Sequence, residues 1–340
     1  MPRTRYQGSK QKLLPWIWQN IKDLKFHTVL DVFSGSACVS HFLKANGKAV
    51  TANDHLTGNY LTALALVENT DQRLAPRQID ALLKRQPNRT YDDFIQRTFR
   101  EIYFLDHENR WLDRLAQNIP TIKNPAQRAI AYYALFQAAV AKRPYNLFHR
   151  KNLYMRTARV KRSFGNKTTW DRPFEDHFRA NVAAANNAVF QSSAPCRALC
   201  TDALTIPAGF DLVYIDPPYI NANGVGVDYY AFYHFLEGLA DYPAWPQKID
   251  HRSKHRRLLP KPNPWTDRKQ VLDALQRLLR RHAGSTIVLS YRSDGIPSPS
   301  QLLELLRQLK PDVTLVEYGH YKYVLSTNHK SKEILLIAKD

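Results

Sequence analysis

Short apolar runs broken by polar turns open the chain. Residues 29–33 (Val29, Leu30, Asp31, Val32, Phe33) are mostly apolar and end at Ser34-Gly35-Ser36-Ala37, after which residues 38–45 place apolar side chains at helical spacing. The pattern predicts strand, tight turn, helix. Residues 48–52 read as a second strand finishing at Asn53-Asp54, so the start is the β-α-β frame of a doubly wound sheet, with a ligand across the strand ends. From about Gly58 the alternation stops and helical character runs to about Val140; Asn124 then Pro125 predict the N-cap and first-turn proline of the clearest helix. Strand patterns return at residues 197–201, 211–215, 286–290 and 313–317. A last pair, 321–325 and 333–338, flanks polar residues 326–332 and predicts an antiparallel hairpin. The expected architecture is α/β: a doubly wound, Rossmann-like sheet with a C-terminal antiparallel hairpin and an inserted, mainly helical region. Residues 1–60 form its first part, 61–190 the insertion and 191–340 its second part.

With 340 residues, 44% apolar and 23% charged, the chain can bury an ordinary core, which excludes wholesale disorder, collagen-like structure and coiled coil. Charge changes the picture more. Lys and Arg number 49 against 30 Asp and Glu, a formal +19. Such a surplus costs self-repulsion and is not needed for folding, so it points to a polyanionic partner, nucleic acid before membrane. A merely soluble basic surface is the plainer alternative. Nearly half of the surplus lies in residues 142–172, where ten cations face one acid, Asp171. Cys38, Cys196 and Cys200 form no paired knuckle, so neither a disulfide framework nor a metal site is expected. The N-terminus lacks the apolar run of a signal peptide, and the longest apolar stretch, 129–141, is shorter than the roughly 20 residues of a membrane span. The expectation is a soluble, cytoplasmic protein with no membrane and no metal partner.

Asp216-Pro217-Pro218-Tyr219, directly after the 211–215 strand pattern, is the most specific chemical signal. Two prolines fix the backbone and offer carbonyls without competing amide hydrogens, flanked by a carboxylate and an aromatic ring. Such a site can accept both hydrogens of a planar amino group and stack a ring on its base. A rigid turn closed by a core tyrosine is the alternative.

In this order of motifs the chain resembles the Dam-type, alpha-group adenine-specific DNA methyltransferases, which use S-adenosylmethionine. The resemblance runs over most of the chain. Arg5-Tyr6-Gln7-Gly8-Ser9-Lys10-Gln11-Lys12-Leu13-Leu14-Pro15 looks like the family's N-terminal motif, in which an aromatic residue and a lysine contact the cofactor. Asp31-Val32-Phe33-Ser34-Gly35-Ser36-Ala37 looks like its Phe-x-Gly-x-Gly turn, with Ala37 replacing the last glycine. Asn53-Asp54 falls where an acid holds the ribose hydroxyls, and Asp202 where another contacts the cofactor's adenine. The resemblance therefore implies Tyr6, Lys10, Phe33, Gly35, Asp54 and Asp202 as cofactor-binding and Asp216, Pro217, Pro218 and Tyr219 as catalytic. Plainer readings remain: a surface arm for Tyr6 and Lys10, an ordinary βα turn for Gly35, a helix cap for Asp202. The implied reaction is methyl transfer to the exocyclic 6-amino group of an adenine flipped out of duplex DNA, without metal or covalent enzyme intermediate. Two other readings stay open: the same chemistry on RNA adenine or on the 4-amino group of cytosine in DNA, and an inactive methyltransferase-like nucleic-acid-binding module.

The insertion matches the place of the family's target-recognition region. Its basic segment interleaves cations with Tyr, Phe and Asn, the mixture that neutralises phosphates and reads base edges. Arg143, Arg150, Lys151, Arg156, Arg159, Lys161, Arg162 and Lys167 are the candidate nucleic-acid contacts, with Gly165-Asn166 as the turn of a basic hairpin. A second charged loop, residues 241–267, carries His251-Arg252-Ser253-Lys254-His255-Arg256-Arg257 as the competing candidate. The expected partners are double-stranded DNA and a cognate restriction endonuclease, in a bacterial or phage-encoded enzyme that does not itself cleave DNA.

Overall fold

The structure, a computed structural model, describes residues 1–2, 4–158, 167–320 and 331–340. Numbered in chain order, β1 (Thr28–Asp31), β2 (Ala49–Asn53), β3 (Arg197–Leu199), β4 (Leu212–Ile215), β6 (Thr286–Arg292), β8 (Asp312–His320) and β9 (Lys332–Lys339) form one seven-stranded sheet, while β5 (Ile220–Asn221) and β7 (Gly295–Ile296) pair apart from it. The order is β3-β2-β1-β4-β6-β9-β8; the first five run parallel, and β9 runs antiparallel to both neighbours. Central strands lie under cover on both faces and so read as continuous apolar runs: every residue of β4 is buried, as is Glu333 to Ala338 of β9. Helix Val271–Arg281 supplies part of that cover with Val271, Ala274, Leu275, Leu278 and Leu279, a stripe at helical spacing.

From β1 the chain winds out through β2 to β3 and then returns to the other side of β1 at β4. This is the switch point at which open α/β sheets bind ligands. It sets the turn after β1 beside the segment after β4: Asp31 is in register with Tyr214, and the Val32 amide donates to the Tyr214 carbonyl at 3.0 Å.

The C-terminal pairing differs from expectation. The partners of residues 333–338 are β6 and the 313–317 segment, lengthened into β8; residues 321–325, expected as the hairpin's first strand, lie outside the described residues. β8 is an edge strand on which half-buried Val313 and Leu315 alternate with exposed Asp312 and Thr314, and a Lys339–Asp312 ion pair lies across it at 3.3 Å.

The chain divides into two compact units. The sheet unit comprises Tyr6–Ala63, Ser192–Asp228 and Lys261–Asp340; the helical unit comprises Met1–Arg5, Leu64–Gln191 and Tyr229–Pro260. Residues 229–260, expected in the second part of the sheet domain, thus pack with the insertion. Aromatic burial explains this: Phe235 stacks on Phe148 with centroids 5.0 Å apart, and Trp245 lies 5.0 Å from Phe99. Gly238 admits the Trp245 ring, which would stand 1.9 Å from any Cβ there. The Asn124 side chain caps helix Pro125–Ala141 as expected, accepting from the Gln127 amide at 3.0 Å. Among the described residues no helix is long and apolar enough to cross a membrane.

Candidate active site

The turn after β1 is built on two left-handed residues, Gly35 at φ +51° and Ala37 at φ +58°. At Gly35 the bare Cα lets the Tyr6 ring close in, its Cε1 3.1 Å from where a Cβ would stand. Asp54, at the end of β2, accepts from the Gly35 amide at 2.9 Å, the Leu56 amide at 2.9 Å and the Asn59 amide side chain at 3.0 Å; Asn59 also donates to the Tyr6 hydroxyl at 3.0 Å. Tyr6, Gly35 and Asp54 therefore form one connected group, with Asn59 as a link that no sequence motif signalled.

Ala37 carries the positive φ that its replaced glycine would have taken freely. Left-handed backbone costs an L-residue about 1–2 kcal/mol. Two terms offset that cost: burial of the Ala37 methyl, about 0.8 kcal/mol, and the extra freedom an unfolded glycine would have, about 0.4–1 kcal/mol. The terms nearly cancel, so Ala37→Gly is expected to shift stability by less than about 0.5 kcal/mol in urea unfolding. A loss above about 1.5 kcal/mol would show that methyl packing, not strain, dominates the turn.

At the end of β4, Asp216 meets Lys10 and Glu333. Lys10 Nζ lies 3.0 Å from Asp216 Oδ1 and 2.6 Å from Glu333 Oε1, and it also donates to the Tyr219 hydroxyl. That hydroxyl lies 2.8 Å from Asp216 Oδ1 and 2.8 Å from Glu333 Oε1, and Ser290 Oγ donates to the same Glu333 oxygen at 2.7 Å. Side-chain exposure is 17% for Asp216, 5% for Lys10 and 0% for Glu333, so Asp216 is the accessible charge of the three. Burial pushes the Asp216 carboxyl up to about 6, with Lys10 opposing and Glu333 adding to the rise. Burial alone would lower Lys10, but Asp216 and then Glu333 outweigh it and hold the ammonium above its ordinary range. Pro217 and Pro218 are buried; Tyr219 is half-buried, its ring edge-on to Tyr291 at 5.1 Å. Neither Glu333 nor Ser290 stood out in the sequence, where an acid at the start of an apolar strand reads as a solvent-facing end.

The remaining cofactor candidates belong to the same unit. Phe33 packs edge-on against Trp265 with centroids 4.9 Å apart, and exposed Asp202 caps the turn Ala203–Thr205 through the Leu204 amide at 2.9 Å. Among the described residues, Asp31 Oδ1 and Ser34 Oγ are buried at the β1 turn without a hydrogen-bond partner. Burial pushes Asp31 up to about 7 despite the 2.6 Å hydrogen bond from Ser40 Oγ. An unpaired acceptor and an unpaired hydroxyl suit the amino-acid end of S-adenosylmethionine, so these residues fit the expected cofactor. Among the described residues no group of three metal-ligating side chains occurs.

A sequence model of the D12 class N6 adenine-specific DNA methyltransferases matches residues 6–254 of the 340. The chain belongs to this family. It is an adenine-specific DNA methyltransferase, and the RNA, cytosine and inactive-module readings give way to that. The methyltransferase is similar to Type II methyltransferase M2.HphI of Haemophilus parahaemolyticus, with 28% identity over 99% of this chain and 96% of the relative. It is also similar to modification methylase StsI of Streptococcus sanguinis, with 25% identity over 97% of this chain and 50% of that protein, about half of whose length it spans.

The methyltransferase uses two of its basic candidates internally. Arg143 is 1% exposed: its guanidinium donates to the carbonyls of Leu147 at 3.1 Å and Arg150 at 3.0 Å and to Asn152 Oδ1, and lies over the Tyr103 ring at 4.3 Å. Arg156 is 5% exposed and grips Glu108 with two bonds of 2.8 and 2.9 Å, while Lys142 takes the same carboxylate at 2.8 Å. Neither arginine can reach a phosphate from there, which corrects the expectation for Arg143 and Arg156: both organise the segment from inside. Arg150, Lys151 and Lys167 are exposed, the last paired with Asp171 at 2.5 Å. Arg159, Lys161, Arg162 and the Gly165-Asn166 turn lie outside the described residues. The competing loop at residues 251–257 belongs to the same helical unit as the basic segment; there Arg257 approaches Asp250 at 3.3 Å, and Arg252 and Lys254 are exposed.

Proposed function

We propose that the methyltransferase takes its methyl group from S-adenosylmethionine and places it on the 6-amino nitrogen of an adenine flipped out of duplex DNA. The observation that carries this reading is Asp216, the accessible charge of a buried cluster, at the end of β4 beside the β1 turn. When bound, S-adenosylmethionine supplies a methyl made electrophilic by a sulfonium. The adenine amine is a poor nucleophile because its lone pair is delocalised into the ring. Hydrogen bonds from its two hydrogens to the Asp216 carboxylate and the Pro217 carbonyl draw that pair back onto nitrogen and aim it. Asp216, pushed up to about 6, is also suited to receive the proton that the methylated nitrogen releases. Tyr219, its hydroxyl tied to both carboxylates, presents a held ring for stacking on the base. Tyr6, Lys10, Phe33, Gly35, Asp54 and Asp202 hold the cofactor, Asp54 at the ribose and Asp202 at the adenine, with Asp31 and Ser34 toward its amino-acid end.

In this reading the helical unit is the target-recognition region, with Arg150, Lys151 and Lys167 at phosphates. Reducing salt sensitivity is the mark of a lost phosphate contact: Arg150→Gln and Lys151→Gln are each expected to weaken DNA binding and to flatten log K against log salt by about 0.9. An unchanged slope would shift the contact to residues 251–257. The Type II and modification designations of the relatives support a cytoplasmic role beside a cognate restriction endonuclease. The deciding assay offers labelled S-adenosylmethionine with duplex DNA, single-stranded DNA and RNA in parallel. Label on duplex adenine that vanishes in Asp216→Ala is expected; label on RNA or single strands alone would overturn the reading.

A further inference from the structure

The charge cluster holds one more acid than hydrogen bonding of an amine requires. Lys10 and Asp216 would form a neutral pair by themselves, and such a pair presents a weak acceptor, because the ammonium draws on the carboxylate oxygen that the substrate needs. We infer that Glu333 is a positioning residue for methyl transfer: it takes up the Lys10 ammonium from behind, leaving Asp216 its negative charge as the acceptor for the adenine amine. This rests on the reaction proposed above.

The geometry favours Glu333 over Asp216 as the first partner of Lys10, at 2.6 Å against 3.0 Å. Glu333 Oε1 also receives Ser290 Oγ at 2.7 Å and lies 2.8 Å from the Tyr219 hydroxyl, so one carboxylate oxygen ties together the N-terminal lysine, β6 and the catalytic tyrosine. With no exposed surface Glu333 cannot touch a substrate, and it acts through Lys10 and Tyr219. The sheet explains its place. β9 runs antiparallel to β6, with Arg292 opposite Glu333, so the beginning of β9 stands at the carboxyl ends of β4 and β6.

Other titratable groups nearby do not do this work. Asp31 on β1, pushed up to about 7, is held by Ser40 at 2.6 Å and among the described residues makes no ion pair with Lys10, and Tyr214 on β4 is held in its neutral direction by burial. On β6, Arg292 is bound to Asp294 at 2.6 Å, and on β8, opposite β9, Glu317 is paired with Lys332 at 2.6 Å. Glu333 is thus the acid that bears directly on both Lys10 and Asp216 among the described residues.

The sign of its effect is testable. Burial first, and the Glu333 charge in addition, raise the Asp216 carboxyl to about 6, so the acid limb of transfer should lie near there. Glu333→Gln removes a neighbouring negative charge and releases Lys10 toward Asp216; both changes lower the Asp216 value and move the limb to lower pH. The experiment is single-turnover transfer from labelled S-adenosylmethionine to unmodified duplex DNA between pH 5 and 8, using the full chain. Glu333→Gln is expected to slow transfer on the order of 10- to 100-fold, the effect of one charge-assisted hydrogen bond. The loss should persist at saturating cofactor and DNA, with the acid limb shifted downward, whereas Glu333→Asp should keep the limb. A limb that does not move in Glu333→Gln, or a rate loss wholly accounted for by weaker cofactor or DNA binding, overturns the inference. Should Glu333→Gln not fold, Ser290→Ala withdraws a donor from the same oxygen and keeps the charge; it should slow transfer severalfold with the limb in place, and an unchanged rate overturns the role. Absence of duplex-adenine label in the wild-type enzyme would instead defeat the reaction itself, and this inference with it.

Discussion

Replacing Asp216 by alanine is expected to lower methyl transfer by at least on the order of 10²–10³-fold while duplex DNA binding persists, the loss that follows when a preorganised charge at the reacting atom is removed. The fold survives because Glu333 still neutralises Lys10 at 2.6 Å, so no buried ammonium is stranded. Asp216→Asn sharpens the test. Its amide keeps the shape but turns one acceptor into a donor facing the adenine amine, so turnover should stay low while thermal unfolding stays near wild type. Single-turnover transfer and a binding isotherm, measured on the same preparations, separate the two quantities. A variant with near-normal turnover would remove Asp216 from the chemistry.

The largest effect on stability is expected at Glu108, far in sequence from any catalytic motif. Lys142 and Arg156 converge on its carboxylate at 2.8 Å each, with exposures of 1% and 5%. Glu108→Ala leaves two buried cations without a counter-ion, and breaking a buried pair from one side costs about 3–5 kcal/mol. Urea unfolding of the full chain measures this, and a change below about 1 kcal/mol would mean that water or the carbonyls of Arg172 and Trp170 suffice for the two cations. pH supplies a second reading. Burial alone would raise the Glu108 carboxyl, but Arg156 and then Lys142 hold it below the ordinary value of 4.5. Its contribution is therefore complete above the ordinary glutamate range and is lost only as pH falls through the lower folded value. The wild-type chain should lose stability in strong acid more steeply than Glu108→Ala.

Lys142 and Arg156 show how charge read from composition divides on folding. Ten cations against one acid in residues 142–172 suggested a surface for phosphate. Three of them, Lys142, Arg143 and Arg156, are instead buried, because Glu108 and the carbonyls of residues 147 and 150 satisfy them. A count of charges records how many there are and not which have partners inside. The second basic loop, at 251–257, joins the same unit through Phe235 and Trp245, aromatic residues whose spacing gave no hint of their common neighbour Phe99.

Everything set by neighbours along the chain was legible in the amino-acid order. The β-α-β start, the turn at Gly35, the acid at the end of β2, the cap at Asn124 and the Asp-Pro-Pro-Tyr segment after β4 all depend on periodicity, turn chemistry and covalent sequence, which act over a few residues. Even Ala37 could be marked from its position as the place where a positive φ would have to be tolerated. What only the tertiary structure decided is which distant groups share a buried volume. Glu333 enters the Lys10–Asp216 cluster because an antiparallel strand brings its first residues to the ends of parallel ones, and Lys10 reaches it across more than three hundred residues of chain. Burial then gives these charges their meaning, since in a low-dielectric interior an ionised group persists only with its partner, and the partner is chosen by the fold.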